Sequence, residues 1–285
     1  MDRKYFTVEV KPPIDADLLD DSALASDDDV IFSWTPFEVP QGSSRLLNVT
    51  ARVVGTNGTA QHQPFQLLFA KSVVDSSTGT LYNPPSLGEY NTTVTAIKSL
   101  PSIIGAIKIE TIDYMCQSLV GCSIASTGNS VAANGSNVDM VLTPSGASHA
   151  NYILDATSIL GTAGDVVAIT PGYDVLWVAA IACGAMDFRT NVTTDTGETY
   201  SATATTIHVD ATDANTVFSV GDVIQEVDNT IIGTITAIGT ATGADVDLTV
   251  DRGEAGRETA GAQTLADGVK IYHRNPISLT LSFER

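Results

Sequence analysis

Val175-Leu176-Trp177-Val178-Ala179-Ala180-Ile181 decides the fold. It opens an uncharged apolar run, Val175 to Met186, held between Asp174 and Asp187. The run falls well short of the roughly 20 residues that a membrane-spanning helix needs. Apolar side chains stand at both odd and even positions, so the stretch reads as a core strand, buried on both faces or curving through a sandwich.

On either side, the pattern stays β. Tyr5 to Val10 alternates with period two and stops at Pro12-Pro13. Val30 to Trp34 runs toward Phe37-Glu38-Val39 with a bend expected at Pro36, and Arg45 to Val54 places Leu47, Val49, Ala51 and Val53 on one side. Gly55-Thr56-Asn57-Gly58 carries the Asn-Gly hairpin signal and leads into Phe65 to Ala70. Further strands are expected at Ile103 to Ile112, Met140 to Leu142, Tyr152 to Ser158 and Val166 to Ile169, with a loop from Ser126 to Asn137. No helical apolar period extends beyond two turns, and the β-branched bias toward Thr favours strands.

Composition shifts near Thr190. From there to Asp251 the chain has no Lys or Arg against ten acidic side chains. Short strands at Thr205 to Val209, Val223 to Val227, Ile231 to Ile238 and Val246 to Val250 suggest a small barrel or partly closed sheet. The final strand, Ile277 to Phe283, alternates perfectly and has too few neighbours of its own, so it is expected to pair with the first domain. The expected fold is all-β: an antiparallel β-sandwich, jelly-roll or Ig-like, from residues 1–190 plus 269–285, and a β-barrel-like domain at 191–268, either inserted or a second domain.

Charge narrows the function. With 14 Lys and Arg against 33 Asp and Glu, the formal net charge is -19. Phosphate backbones and anionic bilayers repel such a chain, so neither nucleic acid nor membrane is an expected partner. The cysteines Cys116, Cys122 and Cys183 are odd in number, which argues against a disulfide framework. Met1-Asp2-Arg3-Lys4 leads into a strand pattern rather than an apolar export segment. The sequons at Asn48, Asn57, Asn91, Asn134 and Asn191 therefore read as turns and strand ends. The aspartates Asp15, Asp17, Asp20, Asp21, Asp27, Asp28 and Asp29 fit no calcium-loop spacing, and the acidic connector reads as a solvated loop or a short surface helix.

No catalytic constellation emerges. His62, His149, His208 and His273 are far apart, Cys116 and Cys122 suit no zinc knuckle, and no nucleophile elbow or phosphate loop occurs. Asp245 and Asp247 share one side of a strand near Asp251 and read as a solvated face. No catalytic, metal or cofactor-binding residue is assigned and no cofactor is expected. Tyr82, Tyr90 and Tyr200 fall in loops, the places from which a glycan platform would be built.

Two stretches carry a resemblance. Thr205-Thr206-Ile207-His208-Val209, Phe218-Ser219-Val220-Gly221-Asp222-Val223-Ile224, Gly233 to Ile238 and Leu248 to Gly256 resemble a small β module of tailed-phage structural proteins. That module has a Phe-x-x-Gly-Asp turn and an Arg-Gly-x-x-Gly turn; here Arg257 replaces its Thr, Leu265 stands near its His and Gly268 is kept. Arg3-Lys4-Tyr5-Phe6, Phe32-Ser33-Trp34-Thr35, Val39-Pro40-Gln41-Gly42, Gly55 to Gly58 and Leu68 to Ser72 are similar to virion proteins of marine and cyanobacterial phages. Together the stretches span about half the chain.

The resemblance implies a virion component made in the host cytoplasm, not an enzyme. Acidity disfavours a position facing packaged DNA and favours outward display. The expectation is an outer capsid decoration or cement protein, homo-oligomeric, whose partners are the major capsid protein or other virion proteins. Edge strands and the segment Met1 to Val10 are the expected contacts. The alternatives are a tail fibre or baseplate accessory protein and a host-surface polysaccharide-binding protein.

Overall fold

The computed structural model describes residues 4–15, 19, 28–88, 102–115, 122–127, 138, 140–145, 149–154, 160, 162–195, 197–210, 214–226, 230–242, 245–253 and 264–285. Strands account for 52% of the described residues and helix for 5%, so the fold is all-β, built from several antiparallel sheets.

Three sheets form the larger body. The first orders β1 (Tyr5–Val10), β19 (Ile277–Glu284), β3 (Ser44–Val53), β9 (Ser123–Thr127) and β8 (Tyr114–Met115), with β10 (Met140–Leu142) also on β3. The second orders β2 (Val30–Pro40), β13 (Tyr173–Ala182), β4 (Phe65–Lys71) and β7 (Ile103–Ile109). The third is small: β12 (Val166–Ala168), β11 (Asn151–Ile153), β6 (Leu81–Tyr82) and β5 (Val73–Val74).

β13 sits at the centre because it is apolar on both faces. Leu176, Val178, Ala180 and Ala182 enter the core against the first sheet, beside Leu279, Leu281 and Phe283. Val175, Trp177, Ala179 and Ile181 point the other way and meet Leu81, Tyr152, Leu154 and Ile169 of the third sheet and its flanks. Tyr152 packs edge-to-face on Trp177 at 5.1 Å, and the indole N–H donates to Ser72 Oγ at 2.7 Å. The second sheet therefore lies between the first and the third. The third layer explains why the deciding stretch is buried on both faces.

β19 pairs with β1 on one side and β3 on the other, so the last strand belongs to the large body. β2 runs unbroken through Pro36, because Pro36 lies on an edge strand at a position whose missing N–H would face away from β13. The Asn-Gly signal does not make a hairpin. β3 and β4 belong to different sheets, and Thr56–Gly58 forms a short 3₁₀ turn between them.

The fourth sheet orders β14 (Thr206–Val209), β17 (Val246–Asp251), β16 (Ile231–Ile238), β15 (Val223–Gln225) and β18 (Tyr272–His273). Residues 193–194 link its two ends: Thr194 bridges Val209 beside β14, while Thr193 bridges Lys270 just before β18. Backbone pairing thus runs in a ring around Ile207, Phe218, Ile224, Ile235, Leu248 and Ile271. Tyr272 and His273 lie beyond residue 268, so the small sheet continues past the expected boundary. The chain leaves the second sheet after Ala182 and rejoins the first at Ile277.

Candidate functional site

The side chains singled out from the sequence do not converge. Among the described residues, no group of three or more His, Cys, Asp or Glu is placed to hold a metal ion. His62 stacks edge-on against Tyr114 at 5.2 Å, and His208 Nδ1 lies 2.6 Å from Asp247 Oδ1 on the surface. Asp251 turns back to accept the Gly253 N–H at 2.9 Å, while Asp245 forms a backbone bridge with Thr242. Neither Cys122 nor Cys183 is joined in a disulfide; Cys116 lies outside the described residues.

Several expectations need correction. Asp15 and Asp29 are buried, at 9% and 5% exposure, so the ends of the acidic connector are not solvated. Asp28 is exposed; Asp17, Asp20, Asp21 and Asp27 lie outside the described residues. Ser126 and Thr127 end β9 rather than begin a loop. Tyr200 is buried, with its hydroxyl donating to Glu198 Oε2 at 2.6 Å, and Tyr82 is a strand residue. Neither is an exposed platform; Tyr90, Asn91 and Asn134 lie outside the described residues.

The Phe218-to-Asp222 turn has a mechanical role instead. Gly221 takes φ +96°, a conformation that favours glycine, and Asp222 Oδ2 accepts the Ser219 N–H at 2.8 Å. This holds the Asp222 carboxylate toward the large body, where Arg52 of β3 lies 3.8 Å from Oδ1. His273 completes the junction: Nε2 donates to the Val217 carbonyl at 2.7 Å, and Nδ1 is 3.5 Å from Asp222 Oδ2. Burial holds His273 below the usual imidazole range; Asp222 acts in the opposite direction and Arg52 reinforces burial. Nearby, Gln225 Nε2 donates to the Ile14 carbonyl at 3.0 Å, and Arg274 Nη1 donates to Gln225 Oε1 at 2.9 Å. Buried polar groups are satisfied across this seam, which ties the small sheet to the sandwich.

β1 is an edge strand of the first sheet. Lys4 and Arg285 exchange both backbone bonds, at 3.2 and 2.9 Å. The antiparallel alternation then bonds Phe6 and Val8 to β19 and turns the N–H and C=O groups of Tyr5, Thr7 and Glu9 outward. No described strand pairs with that side. Across a gap stands β2, whose free side is blunted. Gln41 N–H bonds Gly172 O, so the same alternation turns Pro36, Glu38 and Pro40 outward, and the prolines offer no donor.

A groove of about 580 Å³ runs between these edges. Its walls include Tyr5, Phe6, Val8, Pro40 and Tyr173, with Tyr5 and Tyr173 exposed at 63% and 39%. Lys4 and Arg285 line one end, Glu9 the other, and Glu38 stands on the β2 wall. The sequence marked the β1 segment as a contact but not Tyr173; the Pro171-Gly172 turn before Tyr173 is the signal that its strand begins at the surface. On the third sheet, Val74 of the edge strand β5 and Val166 of the edge strand β12 are exposed at 40% and 62%.

Among the described residues, no helix is long and apolar enough to cross a membrane. Compared with known proteins, the chain matches no family model, no curated protein and no solved structure.

Proposed function

We propose that the chain is a non-catalytic structural component of a tailed-phage particle, an outer capsid decoration or cement protein that coats and stabilises a preassembled shell in clusters of copies. The observation that carries this reading is that, among the described residues, strand edges with exposed apolar side chains stand unpaired on two different layers: β1 beside Tyr5 and Tyr173, and β5 and β12 with Val74 and Val166. Strand edges pair readily with a partner backbone, and a lattice component has neighbours on more than one side. The charge of -19 suits outward display, away from packaged nucleic acid. The likeness of the Phe218–Asp222 and N-terminal stretches to virion proteins points the same way.

A cement protein stabilises by binding only the assembled lattice, so each copy adds a modest increment that multiplies over the shell. Purified protein added to particles stripped of their outer proteins should bind and raise resistance to heat and osmotic shock. Binding confined to the tail tip, or retention on host-surface polysaccharide without shell binding, would replace this reading with a fibre or glycan-binding role.

A further inference from the structure

We infer that the seam between the small sheet and the sandwich is a binding site for a small zwitterion with an ammonium group beside a carboxylate, the head group of a free α-amino acid. Asp222 and His273 take the ammonium; Arg52 and Lys11 take the carboxylate. The site is independent of the decoration reading.

Strand alternation places the site. Leu279 and Ala51 enter the core, so their neighbours Ser278 and Arg52, cross-strand partners on β19 and β3, face away from it. Those two, Lys11 just after β1, and Asp222 and His273 of the small sheet line one cavity of about 160 Å³.

Three of these groups meet without bonding one another. Gln225 and Arg274 are bonded at the seam, but His273 keeps one acceptor over. It is 5% exposed, and with its Nε2–H given to the Val217 carbonyl, Nδ1 carries a lone pair. Nδ1 stands 3.5 Å from Asp222 Oδ2, well beyond the roughly 2.7–2.9 Å of a bond between an imidazolium and a carboxylate. Two acceptors thus face one another, and no donor among the described residues reaches Nδ1. Arg52 comes only to 3.8 Å from Oδ1, outside hydrogen-bond reach. The acceptor pair calls for a donor with more than one N–H, and the guanidinium fork calls for paired oxygens. An α-amino acid carries both in one short group.

Charge selects the zwitterion. Around the cavity Lys11 and Arg52 stand against Glu9 and Asp222, a local balance in a chain of charge -19. A simple anion would meet two carboxylates and a simple amine two cations; a zwitterion avoids both penalties. Lys11 and Glu9 lie 3.5 Å apart, but the pair is exposed and weak, so Lys11 is free to turn to a ligand.

Volume sets the size. The smaller cavity holds roughly five water molecules at about 30 Å³ each, enough for the head group and a short side chain. A second cavity of about 440 Å³ shares Glu9, Lys11 and Val223 with it and runs on beside Pro13, Pro36 and Ile231. Longer apolar side chains are therefore admitted as well.

Calorimetric titration of the full chain with L-alanine and with L-leucine should show one site per chain, with a millimolar or tighter Kd. Acetate and methylamine, each carrying half of the head group, should bind at least about tenfold more weakly. The ring ¹⁵N signals of His273 should shift on saturation. Lys11→Gln, at an exposed position, should weaken binding with the melting unchanged, and Arg52→Gln should weaken it further. Changes at Arg52 also touch the junction, so the deciding variant is Lys11→Gln and the deciding signal is that of His273 in the wild-type chain. No heat and no His273 shift at about 50 mM of either amino acid would overturn the inference. Equal affinity for acetate or methylamine, or binding indifferent to Lys11→Gln, would overturn it too and leave the cavity to solvent.

Discussion

Gly58 and Thr216 meet backbone to backbone: a Cβ built on Gly58 would lie 2.1 Å from the Thr216 carbonyl oxygen and 2.6 Å from Val217 Cα. The turn between β3 and β4 is thereby pressed against α1 (Ala214–Val217), the short helix of the small sheet. Asn57 reinforces the contact, accepting the Asn191 N–H on its side-chain oxygen at 2.8 Å. The Asn-Gly pair is a docking element between two parts of the chain.

Gly58→Ala should loosen that dock. Gly58 has φ +69°, so alanine is strained by its backbone as well as by the clash. A loss of at least about 2 kcal/mol is expected. Calorimetry should show the melting separate into two transitions, with hydrogen exchange rising at 56–58 and 214–218 first. An unchanged melting curve would show that the contact relaxes freely.

Acidification should weaken the same junction. Burial depresses the pKa of His273 below its ordinary 6.5, so the folded chain holds it neutral while the unfolded chain takes up a proton. Its contribution is fully present above about pH 6.5 and is lost as pH falls through the window between the unfolded and folded values. One proton gives a slope of at most about 1.4 kcal/mol per pH unit there. His273→Gln retains a donor for the Val217 carbonyl and should flatten that slope in denaturant titrations; an unaltered slope would assign it to other groups.

Removal of residues 277–285 should unfold the large body before the small one. β19 is the inner strand between β1 and β3 and supplies Leu279, Leu281 and Phe283 to the core. Hydrogen exchange should then show protection lost in 44–53 and retained in 206–250. Loss confined to the small sheet would contradict this assignment.

The edges of the third sheet should matter to the shell and not to folding. Val74 and Val166 are exposed, so Val74→Asp with Val166→Asp should change stability by less than about 1 kcal/mol. Binding to stripped particles should fall about tenfold or more, as buried charge and lost apolar area would require. Wild-type binding by this variant would move the shell contact elsewhere.

What the sequence made legible follows the strength of each local signal. Tyr173 to Ala182 could be read because an apolar residue at every core position leaves few alternatives to a fully covered strand. Ile277 to Glu284 could be read because strict alternation fixes which side is buried. Only half of the third sheet could: the stretches from Tyr152 and Val166 overlap β11 and β12, but β5 and β6 have two residues each, too few for any periodicity, and their placement follows from covering Trp177. Tyr272–His273 was missed for the same reason. At the junction, Asp222 was visible as part of a turn, but Arg52 and His273 lie far from it in sequence and only folding brings them together. Burial at Asp15 and Asp29 was hidden by the surrounding aspartates, which read as a solvated run.

Labelling the chain on intact phage particles and imaging them is the most direct measurement. A decoration protein should give many copies distributed over the whole outer shell, in clusters that follow the lattice symmetry. A few copies at the tail or baseplate, or none on the particle, would contradict it.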